Sequence, residues 1–176
     1  MATSQPDAIA LLKADHRKVE KLFEDFQKAR GSSRKAALVQ QICTELTVHT
    51  MIEEEIFYPA CRGKIEEDTL DEAYVEHDGA KMLIAELMDS APDEAFYDAK
   101  VKVLCEEIKH HVHEEEMRSE GMFAQAREAG LDMDALGEQL RTRKEQLIAQ
   151  FETTGLPTQR TRSMKGAPVE HERMAQ

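Results

Sequence analysis

Two short runs in this sequence have residue types and spacing suited to chemistry. His49 stands four residues before Glu53, and His111 stands four before Glu115. In a helix that spacing puts both side chains on one face, with the carboxylate roughly 6 Å further along the axis. A histidine so placed can hold one metal ion while its glutamate reaches across to a second. Two further histidines, His16 and His77, lie 33 and 34 residues before His49 and His111. Together they supply four imidazoles and two carboxylates. That is about two histidines per ion plus shared oxygens, at the separation of about 3.5–4 Å usual in two-metal sites. Imidazole with carboxylate suits iron, manganese or zinc. Chemistry on dioxygen or peroxide needs a redox metal, which favours iron.

The elements that carry these residues repeat. Aligning His16 with His77 pairs Ile9 with Leu70, Leu12 with Ala73, Val19 with Ala80, Phe23 with Ile84 and Phe26 with Leu87. Both segments are apolar stripes at helical spacing with one histidine in the middle. Aligning His49 with His111 pairs Val39 with Val101, Ile42 with Leu104, Cys43 with Cys105 and Leu46 with Ile108. A lone histidine on such a stripe is more often a satisfied core residue, and a lone HxxxE is common in a Glu-rich chain. Two in register, at matched offsets from matched cysteines, point to metal. A carboxylate on a core stripe costs several kcal/mol unless compensated. No lysine or arginine takes a matching stripe position before or at the histidines. The register also selects His111 and Glu115 over His110 and Glu114, because His110 aligns with Val48. His113, Glu114 and Glu116 read as a solvated face, and His171 as a tail residue outside the site.

Each half is therefore a helical hairpin, and two hairpins make an up-down-up-down four-helix bundle. The predicted helices run roughly 6–29, 34–62, 69–89, 93–128 and 133–151, the last a short fifth helix. Ser4 is expected to cap the first, Ser32 or Ser33 the second after Gly31, Thr69 the third and Asp132 the fifth. Pro59 is expected to bend or end the second helix early. Residues 1–151 read as one all-α domain. The apolar period then stops, and 152–176 reads as a disordered tail.

Composition agrees with this. Ala, Leu, Glu, Lys, Gln and Met are plentiful, against 8 Gly and 5 Pro, which favours helix. A formal net charge of −12 argues against nucleic acid and anionic membranes as partners, and for a monomer or weak oligomer. No run of about 18 apolar residues suggests a membrane span. The N-terminus lacks the pattern of a secretory leader. Three cysteines without a CxxC pair suit a reducing cytoplasm. Cys43 and Cys105 read as small core residues, and Cys61 as a residue near a helix end that could be exposed.

The segments DHRKVEKLF, HTMIEEEIFYP, EHDGAK and IKHHVHEEE together resemble the bacterial hemerythrin-like proteins with the HHE cation-binding domain. The resemblance covers about residues 6–150. It implies a four-helix bundle and a bridged non-haem di-iron centre held by His16, His49, Glu53, His77, His111 and Glu115. It also implies dioxygen, peroxide or nitric oxide as ligand, or iron or oxygen sensing, with a peroxide-decomposing or oxidase-like enzyme as the alternative. Oxygen-carrying hemerythrins have a second histidine four residues before the one matched by His77; here that residue is Ala73, which counts against reversible oxygen carriage. The Phe-Pro that often follows the second HxxxE is also missing, and Phe123 comes one turn later than Phe57 does in the first half.

Overall fold

A computed structural model of the chain describes residues 5–170 and 172. The elements are α1 (Ala8–Lys28), α2 (Ser32–Ile52), a π-helical turn (Glu53–Phe57), α3 (Tyr58–Cys61), α4 (Glu67–Met88), α5 (Tyr97–Glu116), α6 (Met122–Glu128) and α7 (Met133–Thr154). No strand occurs among the described residues. Helices α1, α2, α4 and α5 form the four-helix bundle. Helix α1 packs on α2 and α5, and α4 packs on α2 and α5, so the four close into a ring. Helix α7 lies outside the ring, across α1 and α2.

The capping chemistry differs in detail from expectation. Asp7 starts α1, its carboxylate accepting from the Ala10 N–H at 2.8 Å. Ser4 lies outside the described residues. Asp132 caps α7 as expected, accepting from Ala135 at 3.0 Å. Helix α4 begins two residues before Thr69, with no side-chain cap. Gly31, at φ +80°, turns the chain from α1 into α2 in a backbone region that disfavours side chains.

Pro59 does not end the second helix. It has no N–H to give the carbonyl four residues back. The helix instead widens just before it, and the Tyr58 N–H bonds to the Glu53 carbonyl five residues away. Such π turns occur mostly within longer helices and often at functional sites. The chain then continues helically to Cys61, which is buried rather than exposed.

The single helix expected over 93–128 is two. The chain leaves the helix after Glu116 and re-enters at Met122. Gly121 sits in this break, where an added Cβ would lie 2.6 Å from the Met117 carbonyl oxygen and 2.7 Å from that of Glu115. The break re-aims the chain so that Phe123 still reaches the bundle interior, stacking on the His16 ring at 5.9 Å and meeting Phe57 edge-on at 5.7 Å.

The fifth helix is not short. At 22 residues α7 matches the bundle helices, and it buries Leu136, Leu140, Leu147 and Phe151. Gly137 lets it approach the start of α1, since a Cβ there would lie 2.8 Å from the Ala8 nitrogen. The expectation of a disordered tail is corrected over two stretches. Residues 152–154 belong to α7, and residues 159–164, though not helical, bond to side chains of α2 and α4.

The apolar core has two parts. One holds Leu12, Ile52, Phe57, Tyr58, Leu70, Met122, Phe123 and Leu140. The other holds Val19, Phe23, Ile42, Cys43, Leu46, Ile84, Leu104 and Ile108. On α1 the stripe passes from the first to the second at His16, and on α4 at His77. A layer of buried polar residues thus divides the bundle.

Candidate metal centre

The structure brings all six residues expected at the site into that layer, each at least 95% buried. The Nε2 atoms of His16 and His49 lie 3.2 Å apart, and so do those of His77 and His111. The glutamates lie between these pairs. Glu53 Oε2 is 3.2 Å from His49 Nε2 and 3.2 Å from His77 Nε2. Glu115 is 3.3 Å from His16 Nε2 through Oε2 and 3.5 Å from His111 Nε2 through Oε1. Each carboxylate therefore touches one histidine from each pair. Two clusters result, His16–His49–Glu53–Glu115 and Glu53–His77–His111, each with ligand atoms within 4.8 Å of one another.

Glu53 Oε1 and Glu115 Oε2 are buried without a hydrogen-bond donor, Glu115 Oε2 having only the His16 Nε2 lone-pair side at 3.3 Å. Asp15 Oδ2 and His49 Nδ1 beside them are likewise left without a full bond. An orphaned buried carboxylate oxygen is rare and costly, and metal coordination is a usual resolution. The four imidazole Nε2 atoms converge on the same space. The donor set, imidazole with carboxylate, fits borderline or hard divalent metal ions.

The family follows from these residues and their surroundings. Residues 7–124 match the family described as Hemerythrin HHE cation binding domain. The chain belongs to that cation-binding family. Its fold is similar to the crystal structure of a hemerythrin HHE cation binding domain-containing protein from Mycobacterium kansasii, an Rv2633c homolog. The two share 22% identity at a TM-score of 0.70, over 86% of this chain and 95% of that one. The chain is also similar to a DNA nickase of Nostoc sp., 29% identical over 106 residues, which is 60% of this chain and only 30% of that protein.

Within the HHE domain, each histidine meets a carboxylate at its outer ring nitrogen. Glu116 faces His16 Nδ1 at 2.7 Å, Glu54 faces His77 at 3.0 Å and Glu76 faces His111 at 2.7 Å. Asp15 stands 3.5 Å from His49 Nδ1, an ion-pair distance. The pattern is reciprocal. The acidic residue before the first histidine of a hairpin (Asp15, Glu76) serves the second histidine of the same hairpin. The acidic residue after each glutamate (Glu54, Glu116) serves the first histidine of the other hairpin. Such partners fix the ring tautomer and raise ligand basicity. Glu116 is thus part of the centre, not of a solvated face. Both positions are acidic in each half of the repeat, and that was the available signal for these four residues.

Three of these carboxylates are in turn held by lysine or arginine. Arg17 donates to Glu116 at 2.8 Å, and Lys144 of α7 bonds Asp15. Lys81, itself buried, donates to Glu54 at 2.6 Å. His110 is exposed, standing 3.1 Å from Glu114 and 3.4 Å from Glu76 at the surface. It does not enter the layer. His113 is exposed, and His171 lies outside the described residues.

Tyr58 gave no sequence signal. The π turn carries it into the core, where its hydroxyl donates to Glu115 Oε1 at 3.0 Å and lies 3.1 Å from His77 Nε2. Burial, then the charges of Glu115 and Glu53, push this phenol well above its ordinary range, so it keeps its proton.

Without metal the layer is charged. Burial opposes an imidazolium at His49, but Glu53 and Asp15 outweigh it and push the group up to about 10. Burial likewise opposes charge on His111, yet Glu115, Glu76 and Glu53 push it up to about 9. Burial would raise Glu53, but His49 and His77 hold it well below the usual carboxylate range. The thiols take no part: burial pushes Cys43 and Cys61 up to about 12, and all three cysteines are buried.

A small cavity of about 110 Å³ adjoins the centre, lined by Ala73, Glu76, His111, Glu115 and Met122 among others. Ala73 stands at the position singled out for its missing imidazole, beside this space.

Proposed function

We propose that this HHE domain holds two non-haem iron ions and binds or reacts with dioxygen, peroxide or nitric oxide. The observation that carries this reading is the pair of orphaned oxygens, Glu53 Oε1 and Glu115 Oε2, among four converging imidazole nitrogens. His16 and His49 would hold one ion, His77 and His111 the other, with Glu53 and Glu115 shared. When bound, iron supplies a redox couple and Lewis acidity. The chain's own residues do the rest. Asp15, Glu54, Glu76 and Glu116 orient the rings. The apolar layers on either side exclude water. The cavity beside Ala73 has room for a diatomic molecule or peroxide, since a water occupies about 30 Å³. Manganese or zinc would satisfy the same donors without supporting dioxygen chemistry as readily.

One observation favours an enzyme that consumes peroxide or dioxygen over a carrier. Tyr58 keeps its proton and donates in a hydrogen bond to Glu115, the glutamate that lines the cavity. A phenol so placed can hold a proton for a reduced oxygen species. Three buried free thiols support a reducing cytoplasm, and the net charge of −12 supports a monomer or weak oligomer without a nucleic-acid partner. Nicking is a property of the Nostoc protein and is not carried over. No helix among the described residues is long and apolar enough to cross a membrane.

The test is a metal count on protein purified from iron-supplemented cells, with absorption spectra before and after air or peroxide. About two irons per chain and an oxidant-dependent band are expected. Metal near zero, unchanged after anaerobic iron addition, overturns the reading. Loss of peroxide at a rate proportional to iron content selects the enzyme.

A further inference from the structure

We propose that the segment after α7 is a strap that completes the metal centre, and that its Arg162 is a positioning residue for His77, acting through Glu54.

The strap is anchored on a buried acid. Asp78, next to His77 on α4, is wholly buried. It accepts from the backbone N–H groups of Arg162 at 2.9 and 3.0 Å, Ser163 at 2.6 Å and Met164 at 3.0 Å, and from the Ser163 hydroxyl at 2.7 Å. Its one other described partner is Lys81, at 3.3 Å. A buried carboxylate whose donors come almost wholly from one segment requires that segment, because stripping its partners leaves a charge in the core. Gln159 adds a bond to Thr47 of α2 at 3.3 Å, and Thr161 closes the turn onto the Met164 carbonyl at 2.9 Å.

The anchor aims one side chain at the centre. Arg162 Nε donates to Glu54 Oε2 at 2.7 Å. The other oxygen of Glu54, Oε1, faces His77 Nδ1 at 3.0 Å and Lys81 at 2.6 Å. Arg162 thus fixes one oxygen of the carboxylate whose other oxygen orients the ring. Without it, Glu54 is free to turn toward Lys81 alone, and the His77 ring loses a fixed partner. The Arg162 guanidinium also lies 5.9 Å from the Tyr74 ring centre, and Tyr74 meets Tyr58 edge-on at 5.2 Å. The same side chain therefore supports the wall that carries the Tyr58 hydroxyl. Lys144 of α7 bonds Asp15, which faces His49, so the C-terminal region supplies a cation to one carboxylate partner of a histidine in each hairpin.

This inference rests on the di-iron reading, and its test separates the two. Iron-loaded full-length protein is challenged with an excess of iron(II) chelator under reductant, and iron loss and the absorption spectrum are followed together. Wild type, Arg162→Met, Arg162→Lys, Glu54→Gln and the double variant Arg162→Met/Glu54→Gln are compared. Glu54→Gln is expected to lose one of its two irons about tenfold faster or more, the usual cost of removing a partner that orients a ligand. Arg162→Met, which leaves the backbone anchor on Asp78 intact, is expected to speed loss of the same iron severalfold, shift the absorption band in the same sense and be largely rescued by lysine. The double variant is expected to match Glu54→Gln, because the arginine acts through that residue. Arg162→Met indistinguishable from wild type, or a double variant in which the two effects multiply, overturns the coupling and leaves the di-iron reading standing. A wild type that holds no iron overturns both.

Discussion

Metal binding by this HHE domain should expel protons, and the structure says roughly how many. In the metal-free layer His49 is pushed up to about 10 and His111 up to about 9, against an ordinary histidine near 6.5. Both are therefore imidazolium at pH 7. A metal ion needs the Nε2 lone pair, so each ring must give up a proton to ligate. Glu53 is already ionised, since His49 and His77 outweigh its burial, and it releases nothing. These two rings should thus release about two protons between them on binding at pH 7. The number should fall through about one near pH 9–10 and approach zero above that. Apparent affinity should rise by about two decades per pH unit around neutrality and flatten in the same range. The linkage has a second face. A histidine raised in the folded state stabilises the metal-free fold below its unfolded value, and that stability is lost as pH rises through 9 to 10. A lowered carboxylate such as Glu53 stabilises it above its unfolded value, and that is lost as pH falls. The metal-free protein should be most stable between these limits, and alkali should weaken it while strengthening metal binding. Anaerobic titration calorimetry with a divalent ion, in two buffers of different ionisation enthalpy at pH 7 and at pH 10.5, measures the count directly. Release of well under one proton at pH 7, or equal release at both pH values, would refute the assignment of these two rings as charged in the metal-free layer and ligating in the loaded one.

Three further outcomes follow from the same geometry. His111→Ala should lower metal content strongly and His110→Ala hardly at all, because His110 is exposed and pairs only at the surface; the reverse order of metal loss would show that the register is wrong. Glu53→Gln with Glu115→Gln should abolish metal binding, and in the metal-free state should bring the titrations of His49 and His111 down toward the ordinary value as seen by NMR; rings that still titrate near 9 or 10 would mean that other charges hold them up. Tyr58→Phe removes a buried donor from Glu115 and should cost about 1–3 kcal/mol in chemical denaturation of the metal-free protein, while leaving two metals per chain; an unchanged midpoint would deny the hydroxyl its buried bond.

Sequence alone determined the parts that depend on helical period. Stripes on α1, α2, α4 and α5 needed only residue type and spacing of three and four to define faces that must be buried together, and those faces carry His16, His49, Glu53, His77, His111 and Glu115. The repeat chose His111 over His110 because both hairpins share one register. Local rules failed where a helix had two ways to continue. Pro59 was expected to bend or end its helix, and the structure instead accommodates it with a π turn that carries Tyr58 into the core. Gly121 split a helix that the pattern alone would have run through. The outer partners were decided by tertiary structure, since Glu116 meets His16 across 100 residues of chain and the strap meets Asp78 across about 85. The repeat marks the acidic positions, but nothing in spacing says which histidine each one meets, and nothing marks the strap. The pairs exist only because four helices cross at one level, where each imidazole turned inward leaves its other nitrogen facing a neighbouring helix. A carboxylate there is forced to become a partner, and in the same way the buried Asp78 draws an otherwise featureless segment back onto the bundle.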